Sequence, residues 1–167
     1  MKSAALTLTL LAALAGCGGA RETAPPAPAP AAWSLAVDGD EAALTYGETV
    51  RLACSRGAGR IRVAWRLEKS LGVRKENNSW VDERGIGAPW LGRMQLLSGN
   101  TGADMRAEAN PPVSGTGTDV QSSVSTGAPV MPFFRATGRI SLTGWGETLN
   151  PNPANPDDVG SFLIFCG

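Results

Sequence analysis

The sequence predicts an all-β fold: an antiparallel β-sandwich or small barrel that follows a signal peptide and a Pro/Ala-rich linker. Three observations predict it. Apolar residues recur at every second position in several short runs, the period of a strand with one wet face. Gly and Pro are abundant, 21 and 12 of 167 residues, which favours turns over long helices. No stretch after residue 32 sustains a period of 3.6.

The elements follow in order. Trp33, Leu35 and Val37 alternate with Ser34, Ala36 and Asp38. A short strand over residues 42–46 ends in a turn at Gly47. Val50, Leu52 and Cys54 alternate with Arg51, Ala53 and Ser55, and Ile61, Val63, Trp65 and Leu67 alternate with Arg60, Arg62, Ala64 and Arg66. Residues 94–97 suit a short strand. Residues 98–128 are rich in Gly, Ser, Thr, Ala and Asn, and read as a long loop with a weak strand around Val120 and Val124. Residues 129–135 allow one helical turn at most, because Pro132 interrupts them. Ile140 and Leu142 mark another strand, and the unbroken apolar run 162–166 reads as a central strand.

Organisation upstream is distinct. Lys2 precedes twelve uncharged residues, 4–15, the length of a signal-peptide core and too short to span a bilayer. The run ends in Leu14, Ala15, Gly16 and Cys17, which resembles the lipobox of bacterial lipoproteins. The resemblance implies cleavage before Cys17 and acylation of its thiol and new amine. Gly18 rather than Asp after the Cys implies, by enterobacterial likeness, an outer-membrane address facing the periplasm. The expected division is therefore signal peptide 1–16, lipidated Cys17 with a flexible linker to residue 32, and one β-rich domain, 33–167. Pro25, Pro26, Pro28 and Pro30 keep the linker extended, with a reach of about 45 Å at roughly 3.1 Å per residue.

Cys54 and Cys166 remain, an even pair in an oxidising compartment and both on the apolar phase of expected strands; they are expected to form a disulfide.

Several function classes are excluded or disfavoured. There is no His, so no His triad, base or metal ligand exists. Lys+Arg and Asp+Glu both number 15, which removes a chain-wide basic footprint for nucleic acid. No Walker A, Gly-x-Gly-x-x-Gly, Gly-x-Ser-x-Gly or Ser-x-x-Lys motif is present, so neither a cofactor nor an enzyme is expected. Asp82 and Glu83 are adjacent and would point to opposite faces of a strand. Residues 150–158 gather oxygen ligands without EF-hand spacing and read as an extended surface loop; no metal is expected.

The densest chemistry is basic. Residues 51–75 hold eight cations against Glu68 alone. Arg60, Arg62 and Arg66 share one strand face and are candidate anion-binding residues, suited to bidentate grip on phosphates. The alternative is pairing across strands with acidic neighbours such as Asp38, Asp40, Glu41 or Glu48. Of five tryptophans, Trp33 and Trp65 sit on core phases, whereas Trp80, Trp90 and Trp145 sit in loop-like surroundings.

Two resemblances concern the domain. The segments 33–35, 43–47, 50–54, 134–142 and 162–166 are similar to small envelope proteins of alphaproteobacteria, which carry no activity to transfer. A second likeness is to lipoproteins that inhibit c-type lysozyme, small, β-rich and disulfide-closed; their Ser-Gly-x-x-Tyr loop has no counterpart after Ser98 and Gly99. The expected function is a non-enzymatic envelope binding or scaffolding module, attached to the membrane through its N-terminal lipid and recognising an envelope protein. The alternatives are an anionic glycolipid-binding module and a lysozyme-inhibitor-like lipoprotein.

Overall fold

The computed structural model describes residues 31–167; the expected signal peptide, Cys17 and the expected linker up to residue 30 lie outside the described residues. The fold is mostly antiparallel β, as expected. Its elements are β1 (Trp33–Asp38), β2 (Glu41–Tyr46), β3 (Val50–Ser55), β4 (Arg60–Leu67), β5 (Arg74–Glu76), β6 (Ser79–Val81), β7 (Trp90–Ser98), β8 (Thr101–Asn110), β9 (Thr118–Ser125), α1 (Val130–Thr137), β10 (Ser141–Gly144), β11 (Glu147–Leu149) and α2 (Pro156–Cys166). Nine strands form one sheet in the order β1-β2-β3-β4-β9-β8-β7-β10-β11, curled into a half-barrel. The short strands β5 and β6 pair separately, through a turn in which Asn77 and Asn78 both take positive φ.

Register lines up Trp33, Tyr46, Val50, Trp65, Val120, Ala109 and Trp90 in one row across the sheet. Because the side-chain period is two, this row and its alternates face the concave side. There the core forms: Leu44, Leu52, Val63, Met94, Leu96 and Leu142 are buried, and α1 and α2 fill the hollow with Val130, Phe134, Val159 and Phe162. Helix α2 packs against β1, β2 and β3, helix α1 against β7 and β8, and the helices touch each other. The indole N–H of Trp33 donates to the Asn152 carbonyl at 2.6 Å, so the coil after β11 reaches back to the opposite edge strand, β1. Cys54 on β3 and Cys166 at the end of α2 are disulfide-bonded, with their Cα atoms 5.6 Å apart.

Three expected elements are corrected, and with them the expectations for residues 150–158 and for Trp90. The run 162–166 is helix, not strand. Asn155 caps α2 by accepting the Asp157 N–H, Pro156 sits at its start, and Asp157 and Asp158 occupy its first turn. Val159, Phe162 and Cys166 then recur at helical spacing and are fully buried, whereas Ile164 is exposed. The segment 150–158 is accordingly not wholly extended, and Ala154 within it is buried.

Residues 129–135 likewise hold most of a two-turn helix. Pro132 falls in the first turn of α1, where its missing N–H would have had no intrahelical partner. Gly138 ends α1 in the left-handed conformation, φ 65°, with its N–H on the Phe134 carbonyl. A Cβ there would come within 1.9 Å of the Ala154 carbonyl oxygen, so only glycine fits.

The third correction is the segment 98–128, which is chiefly two strands, β8 and β9, joined by residues 111–117. Strand β8 alternates: Ala103, Met105, Ala107 and Ala109 face inward, and Asp104, Arg106 and Glu108 outward. Alanine has little strand preference of its own. Small residues serve here because bulky neighbours take the space; Trp145, for example, lies where a Cβ on Gly92 would be, 2.6 Å away. Trp90, expected in a loop, is a buried residue of β7 and donates to the Ile86 carbonyl.

Candidate functional site

The candidate site is the outer, convex face of β3, β4 and β9. Burial of Ile61, Val63, Trp65 and Leu67 inward forces Arg60, Arg62, Ala64 and Arg66 outward along β4. The three candidate arginines thus do share one face. Their partners differ. Arg66 grips Asp119 of β9 through two hydrogen bonds, 2.8 and 3.2 Å, and stands directly opposite it in the register. Arg62 pairs with Glu41 of β2. Arg60 donates to the Ser123 hydroxyl at 2.8 Å. Arg56, at the turn after β3, pairs with Asp40 and lies over the Phe165 ring. Cross-strand pairing with Glu41 and Asp40 is the arrangement weighed from sequence; Asp119, which lies 53 positions from Arg66, was not among those partners.

Charge states follow these contacts. The Ser55 hydroxyl and the charge and hydrogen bond of Arg62 hold the Glu41 carboxyl below its ordinary value, against a smaller opposing effect of burial. The ion pair therefore survives into acid below the usual Glu range and is lost only as pH falls through that lowered value. Hydrogen bonding and charge from Asp119 raise Arg66.

A residue not singled out from sequence completes the face. Arg51 of β3 stands opposite Ala64 and has no ion-pair partner among the described residues. Ala64 forms the floor between Arg51 and Gln121, and shallow depressions of about 240 and 220 Å³ lie on either side, one reaching Arg66 and the other Arg62. Both are smaller than an ordinary small-molecule pocket. The one reaching Arg62 is bordered by no carboxylate and suits one carboxylate or phosphate group, whereas the one reaching Arg66 is also bordered by Glu48 and Asp119. The signal for Arg51 was legible: it has the polar phase of β3, as Arg62 has that of β4.

A larger concavity, about 870 Å³, lies elsewhere, in an open groove between α1 and α2 bordered by Met131, Arg135, Asp157 and Ile164. It was invisible in the sequence reading because neither helix was expected. Asp82 is a turn organiser. Burial pushes its carboxyl up, but the N–H groups of Ile86 and Arg84 and the Arg84 guanidinium outweigh that and hold it below its ordinary value. Among the described residues no cluster of His, Cys, Asp and Glu could hold a metal ion, and no helix is long and apolar enough to cross a membrane.

Comparison with protein-family models, with curated proteins and with solved structures finds no match to this chain.

Proposed function

We propose that this chain is a lipid-anchored protein of a bacterial envelope, facing the periplasm from the outer membrane, whose β domain binds or scaffolds a protein partner without catalysing a reaction. The observation that carries the reading is the order along the chain: lipobox Leu14 to Cys17, Pro-rich linker, then a β domain that keeps a broad outer sheet face open. On that face small residues lie beside arginines: Ala43 and Ala53 share a row with Arg62, and Ala64 shares one with Arg51. A flat floor with fixed guanidinium groups suits a protein surface that offers carboxylates.

A second reading is favoured by Arg51 and Arg60, neither of which has an ion-pair partner among the described residues, Arg60 donating there to the Ser123 hydroxyl: the same face would take the phosphates of an anionic glycolipid. Cross-linking of the protein in intact cells separates the two, with Cys17→Ala as the unanchored control. One dominant, anchor-dependent protein is the expected capture. Lipopolysaccharide co-purifying instead, in a salt-sensitive way that Arg60→Ser, Arg62→Ser and Arg66→Ser together weaken, would establish the glycolipid reading and overturn the first. A lysozyme-inhibiting role has no support beyond the general likeness.

A further inference from the structure

The shared row of Trp33, Tyr46, Val50, Trp65, Val120, Ala109 and Trp90 marks one end of the half-barrel. Beyond it lie the turn 47–49, the connection 68–89 that carries β5 and β6, and the loop 111–117, and the turn 145–146 is directed toward the same end. The chain also enters the described structure at this end. The Ala32 carbonyl accepts the Gly47 N–H, and a Cβ on Gly47 would touch Ala31.

The same end carries an unusual share of exposed apolar side chains. Val73, Trp80, Ile86 and Val113 all belong to the connection 68–89 or the loop 111–117, and Val113 is 99% exposed. Leu91, 77% exposed, adjoins them at the start of β7. These loops are fastened together. The Thr118 hydroxyl donates to the Lys69 carbonyl and accepts the Leu71 N–H, and the Gly117 N–H donates to the Ser70 hydroxyl. Pro111 and Pro112 stiffen the approach to Val113. Trp80 leans on Gly72, and the Lys75 ammonium lies 5.3 Å from its ring centroid. A partly exposed Trp beside a Lys, at an end of the domain that also exposes Val73, Ile86 and Val113, has the chemistry of a membrane–water interface. Four cations (Lys69, Arg74, Lys75, Arg84) and four anions (Glu68, Glu76, Asp82, Glu83) cancel over residues 68–89, so attraction there is apolar rather than electrostatic.

We infer that this end of the domain docks on the lipid bilayer, inserting Val113, Ile86 and Trp80 into the headgroup boundary. The inference rests on the reading of Cys17 as the lipid anchor. Cys17 is only 14 positions from Ala31, and that tether emerges at the docking end. A contact of a few side chains is weak when the two sides meet from solution. The lipid tether makes the contact intramolecular and so raises its effective concentration, to a degree set by the length and stiffness of the Pro-rich linker. The docked state leaves the arginine-bearing convex face of β3, β4 and β9 turned sideways and open.

The test is amide hydrogen exchange of the full, acylated protein in phosphatidylcholine vesicles, with acylation read from its intact mass and the Cys17→Ala protein free in solution as reference. Residues 72–89 and 111–117 are expected to exchange several-fold more slowly on vesicles, while the opposite-end turns at 56–59 and 99–100 keep their rates. Added salt should not change this, and Val113→Asp with Ile86→Ser, both on exposed side chains, should abolish it while the protein stays vesicle-bound. An acylated protein with equal exchange at both ends overturns the inference and leaves the anchor standing. Slowing in native membrane vesicles but not in pure lipid also overturns it, and assigns the end to a protein partner. A Cys17 without acyl chains removes the anchor reading and the inference with it.

Discussion

Replacing Cys54 and Cys166 together by alanine is expected to lower the stability of the domain by about 4 kcal/mol. The bond closes a loop with a sequence separation of 112. Chain-entropy estimates for such a loop reach roughly 4–5 kcal/mol, and loss of native disulfides from small secreted domains typically costs about 2–5 kcal/mol. Its place in the fold adds a specific consequence. Cys166 is the last residue of α2, and Gly57 and Gly59 bond the Phe165 and Cys166 carbonyls from the β3–β4 turn. Without the bond, the C-terminal helix is held to the sheet by packing and these few hydrogen bonds. Urea unfolding checks this: reductant should lower the midpoint of the wild-type protein and leave the double variant unmoved. A wild-type midpoint indifferent to reductant would contradict the expectation.

Phe162→Ala is expected to cost about 3–5 kcal/mol, the range for removing a buried aromatic ring and leaving a cavity. Phe162 has no solvent exposure, and it lies in the core cluster with Phe134, Val159 and Leu44. Besides the disulfide and the Gly57 and Gly59 hydrogen bonds, Phe162 and Val159 are the apolar anchors of helix α2. Its exposed face carries Ile164, and its first turn is anchored through Asn155. The control is Leu91→Ala, on the outer face and 77% exposed, which should change stability by no more than about 0.5 kcal/mol. Chemical denaturation of the two variants side by side reads both; equal midpoints would place Phe162 outside the cooperative core.

What was legible in the sequence has a common physical basis. Strands β1, β3 and β4 were plain because large apolar residues alternate with charged or small polar ones, as in Ile61 to Leu67. The outward position of Arg60, Arg62 and Arg66 followed from the same period. So did the inward position of Cys54; Cys166 was assigned inward through a strand reading that proved to be a helix, and the pairing held because both residues are buried either way. Strand β8 was hidden because three of its four inward residues are alanines, with Met105 the one large apolar side chain among them. Helix α2 was hidden because a continuous apolar run does not distinguish strand from helix by period. Its cap was nonetheless written in Asn155, Pro156, Asp157 and Asp158, beneath a Pro spacing that suggests extended chain. The Arg66–Asp119 pair depends on β9 lying beside β4, a long-range pairing that no local pattern encodes.

The central claim is that Cys17 joins this β domain to a membrane. The most direct measurement is the mass of the N-terminal peptide of the protein recovered from cell membranes. A peptide that begins at Cys17 and carries a diacylglyceryl group and an amide-linked acyl chain is the predicted result. An unmodified Cys17, inside an uncut chain or in a soluble periplasmic protein cleaved elsewhere, would contradict it.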